Sequence, residues 1–598
     1  MYKPLLLAAA IAAALPAMAA TTLIRDVRVF DGQRSHEHRN VLIDGAKIAD
    51  PDFRGKPGAD TTIIEGKGRT LLPGLIDSHV HAYRYLDLPL LFGVTTQVDM
   101  FTGVAIMQDM TARMQRGENK DRADMFSAGT LATVPGGHGT EYGIAIQTLT
   151  RPDEAQAWVE ARIAEGSHFI KIVLEQGSTE HPTPSLDLPT VKALVDAAHR
   201  RGKLAVVHIA TLANARAALE AGADGLVHLF VGEGIAADDL TAFAKLARSR
   251  KAFIIPTFSV MESIAGVQEQ DVLDDKTMMA LLLKEQVQPL KGSHGSSAHP
   301  EKLAAPRAVV KALRDAGVTL LAGTDAGNVG TQYGASMHHE LLSMTQAGLT
   351  PAEVLAAATS VPAKAFRLPQ RGRIAKGFKA DLLLVEGNPV ADINATRRIV
   401  EVWKDGAPVS PARTAQMKAV AEEASAQKGK ALALPPEGRI SLFSRERFGS
   451  PFGMGWMPST DNFMGGKSTA KLAFVESGGQ QAAQVTASVK PGFAYPWAGL
   501  AFIPGQQPMQ AADLSAAKVL RFRARGDGQR YAVAIMSKGV SIPVSQPFTA
   551  GEDWSEVMLP LSAFKGVDAG ALTMIAFNAG PKPGDYQFQI ADVRLTEE

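Results

Sequence analysis

Two histidines separated by a single residue, His79 and His81, close the run Leu71-Leu72-Pro73-Gly74-Leu75-Ile76-Asp77-Ser78-His79-Val80-His81. Residues two apart on a strand face the same side, so both imidazoles can reach one cation from a strand end. Taken alone, the pair would read as two polar residues on a solvated strand face. Four further candidate ligands follow it in order. Lys171 lies inside Phe169-Ile170-Lys171-Ile172-Val173-Leu174, where an ammonium buried without a partner is costly. Either its stem snorkels and its head reaches water, the reading the run alone favours, or the amine is neutral and carries carbon dioxide as a carbamate, an anionic oxygen ligand able to bridge two divalent ions. His208 ends Leu204-Ala205-Val206-Val207-His208, and His228 ends Gly225-Leu226-Val227-His228. Either one alone is ordinarily a hydrogen-bonded core histidine. Asp325 ends Thr319-Leu320-Leu321-Ala322-Gly323-Thr324-Asp325 and is either a helix N-cap or a metal ligand that also handles a proton. The order His-x-His, Lys, His, His, Asp, each at a strand end, raises the set above its parts.

The surrounding pattern supplies the elements that would hold these side chains. Short apolar runs (Gly93-Val94-Thr95-Thr96, 169–174, 204–208, 225–230, 253–258 and 319–325) alternate with amphipathic stretches such as Thr190 to Arg201 and Leu212 to Ala221. Repeated β-then-α units imply a parallel sheet with crossover helices. Residues 71–374 therefore suit a (β/α)8 TIM barrel, whose active site lies at the C-terminal ends of its strands. Residues 20–70 and 375–410 read as strands and turns that combine in one small composite β-sandwich. Residues 411–436, rich in Ala, Lys and Glu and ending in Pro435-Pro436, read as a helix and linker. From 437 to 598, short alternating strands such as Val519 to Ala524 and Phe588 to Leu595 form a separate all-β domain. All 14 histidines lie at or before His339, so the chemistry belongs to the middle domain.

Bulk properties exclude several classes. A formal net charge of +1, with no basic stripe interleaved with aromatics, argues against nucleic acid. The absence of cysteine removes disulfides, thiolate ligands and a cysteine nucleophile. Lys3, the apolar run Leu5 to Leu15, Pro16 and Ala17-Met18-Ala19 read as a secretory signal peptide over residues 1–19, too short to span a membrane. A periplasmic or secreted, soluble mature protein is expected.

These residues resemble the amidohydrolase superfamily, within the group of Xaa-Pro dipeptidases and imidazolonepropionase-like enzymes, over about residues 21–405. Supporting motifs are residues 72–81, Gly93-Val94-Thr95-Thr96, Phe169-Ile170-Lys171-Ile172, Ala322-Gly323-Thr324-Asp325 and Gly377-Phe378-Lys379-Ala380-Asp381-Leu382, which is similar to a turn of the family's sandwich domain. The resemblance implies that His79, His81 and Asp325 bind the more buried of two divalent ions, that His208 and His228 bind the more exposed one, and that carboxylated Lys171 bridges them. Zinc is the expected ion, since mixed nitrogen and oxygen ligands suit it. Two dications would generate a bridging hydroxide at neutral pH, and Asp325 would pass its proton to a leaving amine. The implied reaction is hydrolysis of an amide or other C–N bond, of dipeptides or N-acyl amino acids.

The loop Pro135-Gly136-Gly137-His138-Gly139-Thr140 is similar to a glycine-histidine loop lining the family's pocket. His138 is assigned to catalysis and substrate contact through a carboxylate or the oxyanion, against the alternative of a solvent-facing turn. Tyr142 and Tyr333 are further substrate-binding candidates; His338 and His339 are expected in helix-surface or capping roles. The C-terminal domain resembles the complex I intermediate-associated protein 30 domain, a galactose-binding-like β-sandwich, through residues 459–468, 520–528 and 590–595. Its Trp456, Trp497 and Trp554 are candidates for a ligand platform, with core packing expected for at least two. A glycan or protein ligand, or a covering role, is expected there. Two other functions compete: a mononuclear deaminase or cyclic-amide hydrolase with Lys171 a free amine, and a non-catalytic binding or assembly protein.

Overall fold

Apolar strands buried on both faces alternate with helices that bury one stripe, and this pattern governs most of the first part of the chain. The computed structural model describes residues 21–142, 145–177, 182–230, 234–427, 432–493, 495–538, 540 and 542–597. The N-terminal apolar run read as a signal peptide lies outside them. The chain divides into two compact units, Met1–Lys418 and Ala419–Glu598.

In the first unit, eight parallel strands carry the site: β1 (Leu75–Val80), β2 (Val94–Asp99), β3 (Asp124–Ser127), β4 (Ile170–Leu174), β5 (Ala205–Ile209), β6 (Gly225–Val227), β7 (Phe253–Ile255) and β8 (Thr319–Leu320). They form two sheets, β1-β2-β3 and β4-β5-β6-β7-β8, each in sequence order. Backbone hydrogen bonds also cross between the sheets. Ala132 N–H donates to Lys171 C=O at 2.8 Å, Ser78 N–H to Ala322 C=O at 3.0 Å, and Asp325 N–H to His79 C=O at 2.8 Å. Every residue of β1, β2 and β4 is buried, as parallel strands covered on both faces require.

The intervening helices follow local signals. Leu188–Arg200 opens with Pro189 and an Asp187 cap that accepts from Thr190 N–H at 2.8 Å, and it buries Val191, Leu194, Val195 and Ala198 on one stripe. Leu212–Glu220 starts at a Thr211 cap that accepts from Asn214 N–H. Both helices lie where the sequence pattern placed them, within two residues.

The flanks meet in one hydrogen-bonded sheet of eight strands. The physical reason is the strand Arg69–Pro73, which pairs parallel with Thr21–Phe30 on one side and antiparallel with Leu382–Glu386 on the other. Both flanks are thereby joined in a single ladder. One face buries Ile24, Val29, Val41, Leu71, Leu382 and Trp403 in a core of its own. The last residues of the first unit begin the helix Ser410–Gln427.

The second unit is built mainly of two five-stranded antiparallel sheets, with a short two-stranded ladder between Leu442–Phe443 and Phe448–Gly449. Trp456, Phe502 and Phe577 from one sheet and Val485, Phe522 and Phe588 from the other share one apolar core. Of the three tryptophans, only Trp456 is buried in it, with its indole N–H on Ile440 C=O at 2.9 Å. Trp497 and Trp554 are half-buried, and their indole N–H groups donate to Ser459 Oγ and Ser477 C=O respectively. No helix among the described residues is long and apolar enough to cross a membrane.

Candidate metal centre

β1, β4 and β5, the segments that follow β6 and β8, and the loop after β3 bring five imidazoles, one lysine and one carboxylate together. Ring centroids step from His81 to His79 at 5.4 Å, to His228 at 4.7 Å, to His208 at 4.5 Å and to His138 at 4.8 Å. His79 Nε2 and His81 Nε2 lie 3.1 and 2.9 Å from Asp325 Oδ1, and His228 Nδ1 lies 3.9 Å from Asp325 Oδ2. His79 Nε2 and Asp325 Oδ1 are buried, yet neither makes a hydrogen bond of acceptable geometry. Donor lone pairs that converge without aligning on one another suit a shared cation, and His79, His81 and Asp325 form a group of that kind.

The strands stop short of two of these residues. β6 ends at Val227 and β8 at Leu320, whereas the sequence pattern carried both strands through His228 and Asp325. His228 has φ +70°, Asp325 +61° and Thr257, just beyond β7, +52°. Non-glycine residues rarely adopt this left-handed region, and such strain clusters where side chains must be aimed.

Acceptors around the rings fix which nitrogen is free. His81 Nδ1 lies 3.2 Å from Phe101 C=O, an acceptor only, so Nδ1 carries the proton and Nε2 keeps its lone pair. Thr257 Oγ1 donates to Pro256 C=O at 2.8 Å, so it accepts from His228 Nδ1 at 2.9 Å and leaves His228 Nε2 free. His208 Nε2 donates to Glu175 Oε2 at 2.9 Å, leaving Nδ1 free. Partners of this type orient metal-binding histidines.

Burial favours neutral rings: it lowers His79 to about 3 and His208 to about 4, and takes His228 well below its usual value. Burial works the other way on Asp325, but the facing His79 and His81 hold its carboxyl well below the ordinary range. Lys171 Nζ is buried without any hydrogen-bond partner, and desolvation brings it down to about 7. Uncharged imidazoles, one carboxylate and an orphaned amine are a donor set for divalent cations that favour nitrogen and oxygen, so these residues fit the ions the sequence implied.

The other candidates fall at varied distances from this group. His138 lies at its mouth, with Nδ1 2.9 Å from Glu141 Oε1 and 3.9 Å from Glu175 Oε2. Burial alone would lower His138, but these carboxylates hold it above its usual value. Gly139 beside it has φ +101°, and a Cβ there would meet Leu131 Cδ1 at 2.6 Å, so the turn requires glycine. Tyr142 is half exposed, with its ring 6.1 Å from that of His138. Tyr333 is buried and its hydroxyl donates to His81 C=O, which places it behind the site. His338 and His339 are not on a helix surface. The helix Ala335–Gln346 is itself buried, with His338 between Phe92 C=O and Thr396 Oγ1 and His339 between Asp271 and Glu262. Asp325 caps no helix among the described residues.

Three positioning carboxylates went unnoticed in the sequence. Asp77 accepts from Thr324 N–H and Oγ at 3.0 and 2.7 Å, tying β1 to the segment that delivers Asp325, and burial raises it to about 7. Asp99 accepts from Ala82 N–H at 2.7 Å and from Ser127 Oγ, and burial raises it to about 6. Glu175 is the third. The period of two was a usable signal: Asp77 shares a face with His79 and His81, and Glu175 shares one with Lys171.

Residues 70–411 match the amidohydrolase family, more than half of the chain, and the chain belongs to that family. Residues 447–578 match complex I intermediate-associated protein 30 (CIA30). The ochratoxinase of Aspergillus niger is 25% identical over 264 residues, 42% of this chain and 48% of that protein, so the chain spans about half the length of this relative. The imidazolonepropionase of Salinispora tropica is 25% identical over 376 residues, 59% of this chain and 86% of that protein. Among solved structures, a Xaa-Pro dipeptidase with bound methionine in the active site is similar in fold, with TM-score 0.52 and 22% identity over 65% of this chain and 99% of that one.

Proposed function

We propose that the first unit is a binuclear, zinc-dependent hydrolase of amide bonds in small substrates such as dipeptides or N-acyl amino acids. It would work in the periplasm or outside the cell, consistent with the apolar N-terminal run and the absence of cysteine. The observation that carries this reading is the convergence of His79, His81 and Asp325 beside His208, His228 and the unpartnered Lys171 Nζ. The reading takes the eight parallel strands as one (β/α)8 barrel, supported by the backbone hydrogen bonds that cross between the two sheets.

His79, His81 and Asp325 would hold the inner ion, and His208 and His228 the outer one. Lys171 would bridge them after its neutral amine adds carbon dioxide and loses a proton. Divalent ions held by these residues would supply acidification of water and polarisation of a substrate carbonyl. Asp325 would take a proton from the attacking water and give it to the leaving amine. His138 at the mouth offers an N–H to a substrate carboxylate or to the oxyanion. Tyr142 lines the same mouth and Tyr333 fixes the backbone of His81. The second unit is read as a galactose-binding-like sandwich that takes a glycan or protein ligand.

The test is a screen of the purified, zinc-loaded protein against dipeptides and N-acyl amino acids, with metal counted by mass spectrometry. About two ions per chain with amide turnover is the expected result. One ion per chain with deamination would replace this reading by a mononuclear one. Turnover of nothing in the library by a fully loaded protein would remove the proposed substrate class.

A further inference from the structure

Besides His79, His81 and Asp325, one more group of described residues has the composition of a cation site: His138, Glu175 and His208. The two groups differ in the direction of their contacts. In the first, His79 Nε2 and Asp325 Oδ1 lie 3.1 Å apart without hydrogen-bond geometry. In the second, the His208 Nε2–H points at Glu175 Oε2 across 2.9 Å. A nitrogen that carries a proton toward a carboxylate has no lone pair left for a metal. The free lone pair of His208 is therefore on Nδ1, and His208 is ring-to-ring with His228 at 4.5 Å.

We propose that Glu175 is a positioning residue for the outer ion: it fixes His208 as the Nε2–H tautomer and turns Nδ1 toward the metal. The inference rests on the binuclear reading above. Of the three acceptors that fix a ring here, Phe101 C=O and Thr257 Oγ1 are neutral and Glu175 is charged. Charge-assisted hydrogen bonds are shorter and stronger, and a carboxylate on the far nitrogen makes the near one a better ligand. Glu175 is itself held, since its N–H donates to Ser185 Oγ at 3.0 Å. Glu175 directly follows β4, four residues after Lys171, so this strand and the residue after it supply both the candidate bridging amine and the group that aims the outer imidazole.

The experiment strips the full-length protein with a chelator and titrates zinc back against a chromophoric competitor, with cobalt absorption as a second readout. Glu175→Met removes the acceptor and Glu175→Gln keeps an uncharged one. Glu175→Met should weaken the weaker-bound ion about 10- to 100-fold and leave the tighter one unchanged, with Glu175→Gln in between. In a His208→Ala background the Glu175→Met effect should vanish. Wild-type affinity for both ions in Glu175→Met overturns the inference. So does an equal loss in Glu175→Gln and Glu175→Met, which would make Glu175 a direct ligand. A wild type that binds fewer than two ions fells the binuclear reading itself, and this inference with it; two ions in the wild type with no effect of Glu175→Met fells this inference alone.

Discussion

At the start of β3, Asp124 Oδ2 meets Arg371, Lys379 Nζ at 2.9 Å and Lys404 Nζ at 3.2 Å. Lys404 also reaches Asp381 at 3.0 Å and Asp405 at 3.3 Å, and Lys379 reaches Asp405 at 2.8 Å. Three cations and three carboxylates thus satisfy one another and pin the flanking sheet to the strand. Beyond the other ends of the strands the second buried cluster is of another kind. His79 Nε2, Lys171 Nζ and Asp325 Oδ1 are all buried without a hydrogen bond. An unsatisfied buried group costs about 1–3 kcal/mol, more if charged. One cluster closes on protein atoms and so holds the fold together; the other is left open where the proposed chemistry needs donors.

If that contrast is right, substitutions should separate activity from stability. The largest effect is expected for Asp325→Asn: turnover of a substrate found by the screen should fall about 10²–10⁴-fold, with metal retained, because the amide still offers an oxygen but cannot carry the proton. Turnover equal to wild type would remove Asp325 as the proton carrier. Asp124→Asn should do the reverse. Breaking a buried charge network on one side costs about 3–5 kcal/mol, read by urea unfolding of the first unit, while activity per folded molecule stays unchanged. An unchanged unfolding midpoint would mean that the Asp124 network is not what pins the sheet.

The same network sets a pH window. Burial works against the Asp124 carboxyl, but Lys404, Arg371 and Lys379 hold it below the ordinary range. Its contribution is therefore present above about pH 4, its unfolded value, and is lost as pH falls toward the folded value. Lys404 is raised by Asp381, Asp124 and Asp405 against the effect of burial. Its contribution is present below about pH 10.4 and is lost as pH rises through the folded value. The contribution of this network should be flat between these limits and fall at about 1.4 kcal/mol per pH unit for each proton taken up below the acid limit or released above the alkaline one. Asp124→Asn should remove one proton from the acid limb; an unchanged slope would contradict the assignment.

How much of this could be read in advance varies with the kind of signal. Strand and helix alternation, and the six strand-end residues from His79 to Asp325, were legible because periodicity and ligand chemistry both mark them. The left-handed turns at His228 and Asp325 were not, since neither is a glycine and nothing local demands the bend. His338 and His339 were misread as surface residues. A polar pair on a helix reads as solvated until its partners are known, and Thr396, Asp271 and Glu262 lie far off in the chain. The Asp124 network, drawn from four separate stretches of chain, was hidden for the same reason. That the two flanks join through Arg69–Pro73, which bonds on both edges, was not legible either, because sequence pattern shows which residues are strands but not which edges are free.

The smallest expected effect tests whether the open cluster is tuned by neutral neighbours as well as by Glu175. Thr257 holds the Nδ1–H of His228 through an oxygen whose own proton is committed to Pro256 C=O. Thr257→Val keeps a β-branched shape at a position with φ +52°, so backbone strain is matched and only the acceptor is lost. Zinc affinity of the outer ion should fall about 10-fold, the low end for such partners, because a hydroxyl polarises the ring less than a carboxylate. Thr257→Ser should restore it, since the oxygen returns while a methyl is lost. A drop in Thr257→Val that Thr257→Ser does not reverse would point to packing of the buried methyl against the ring, and the hydrogen-bond account of His228 would then fail.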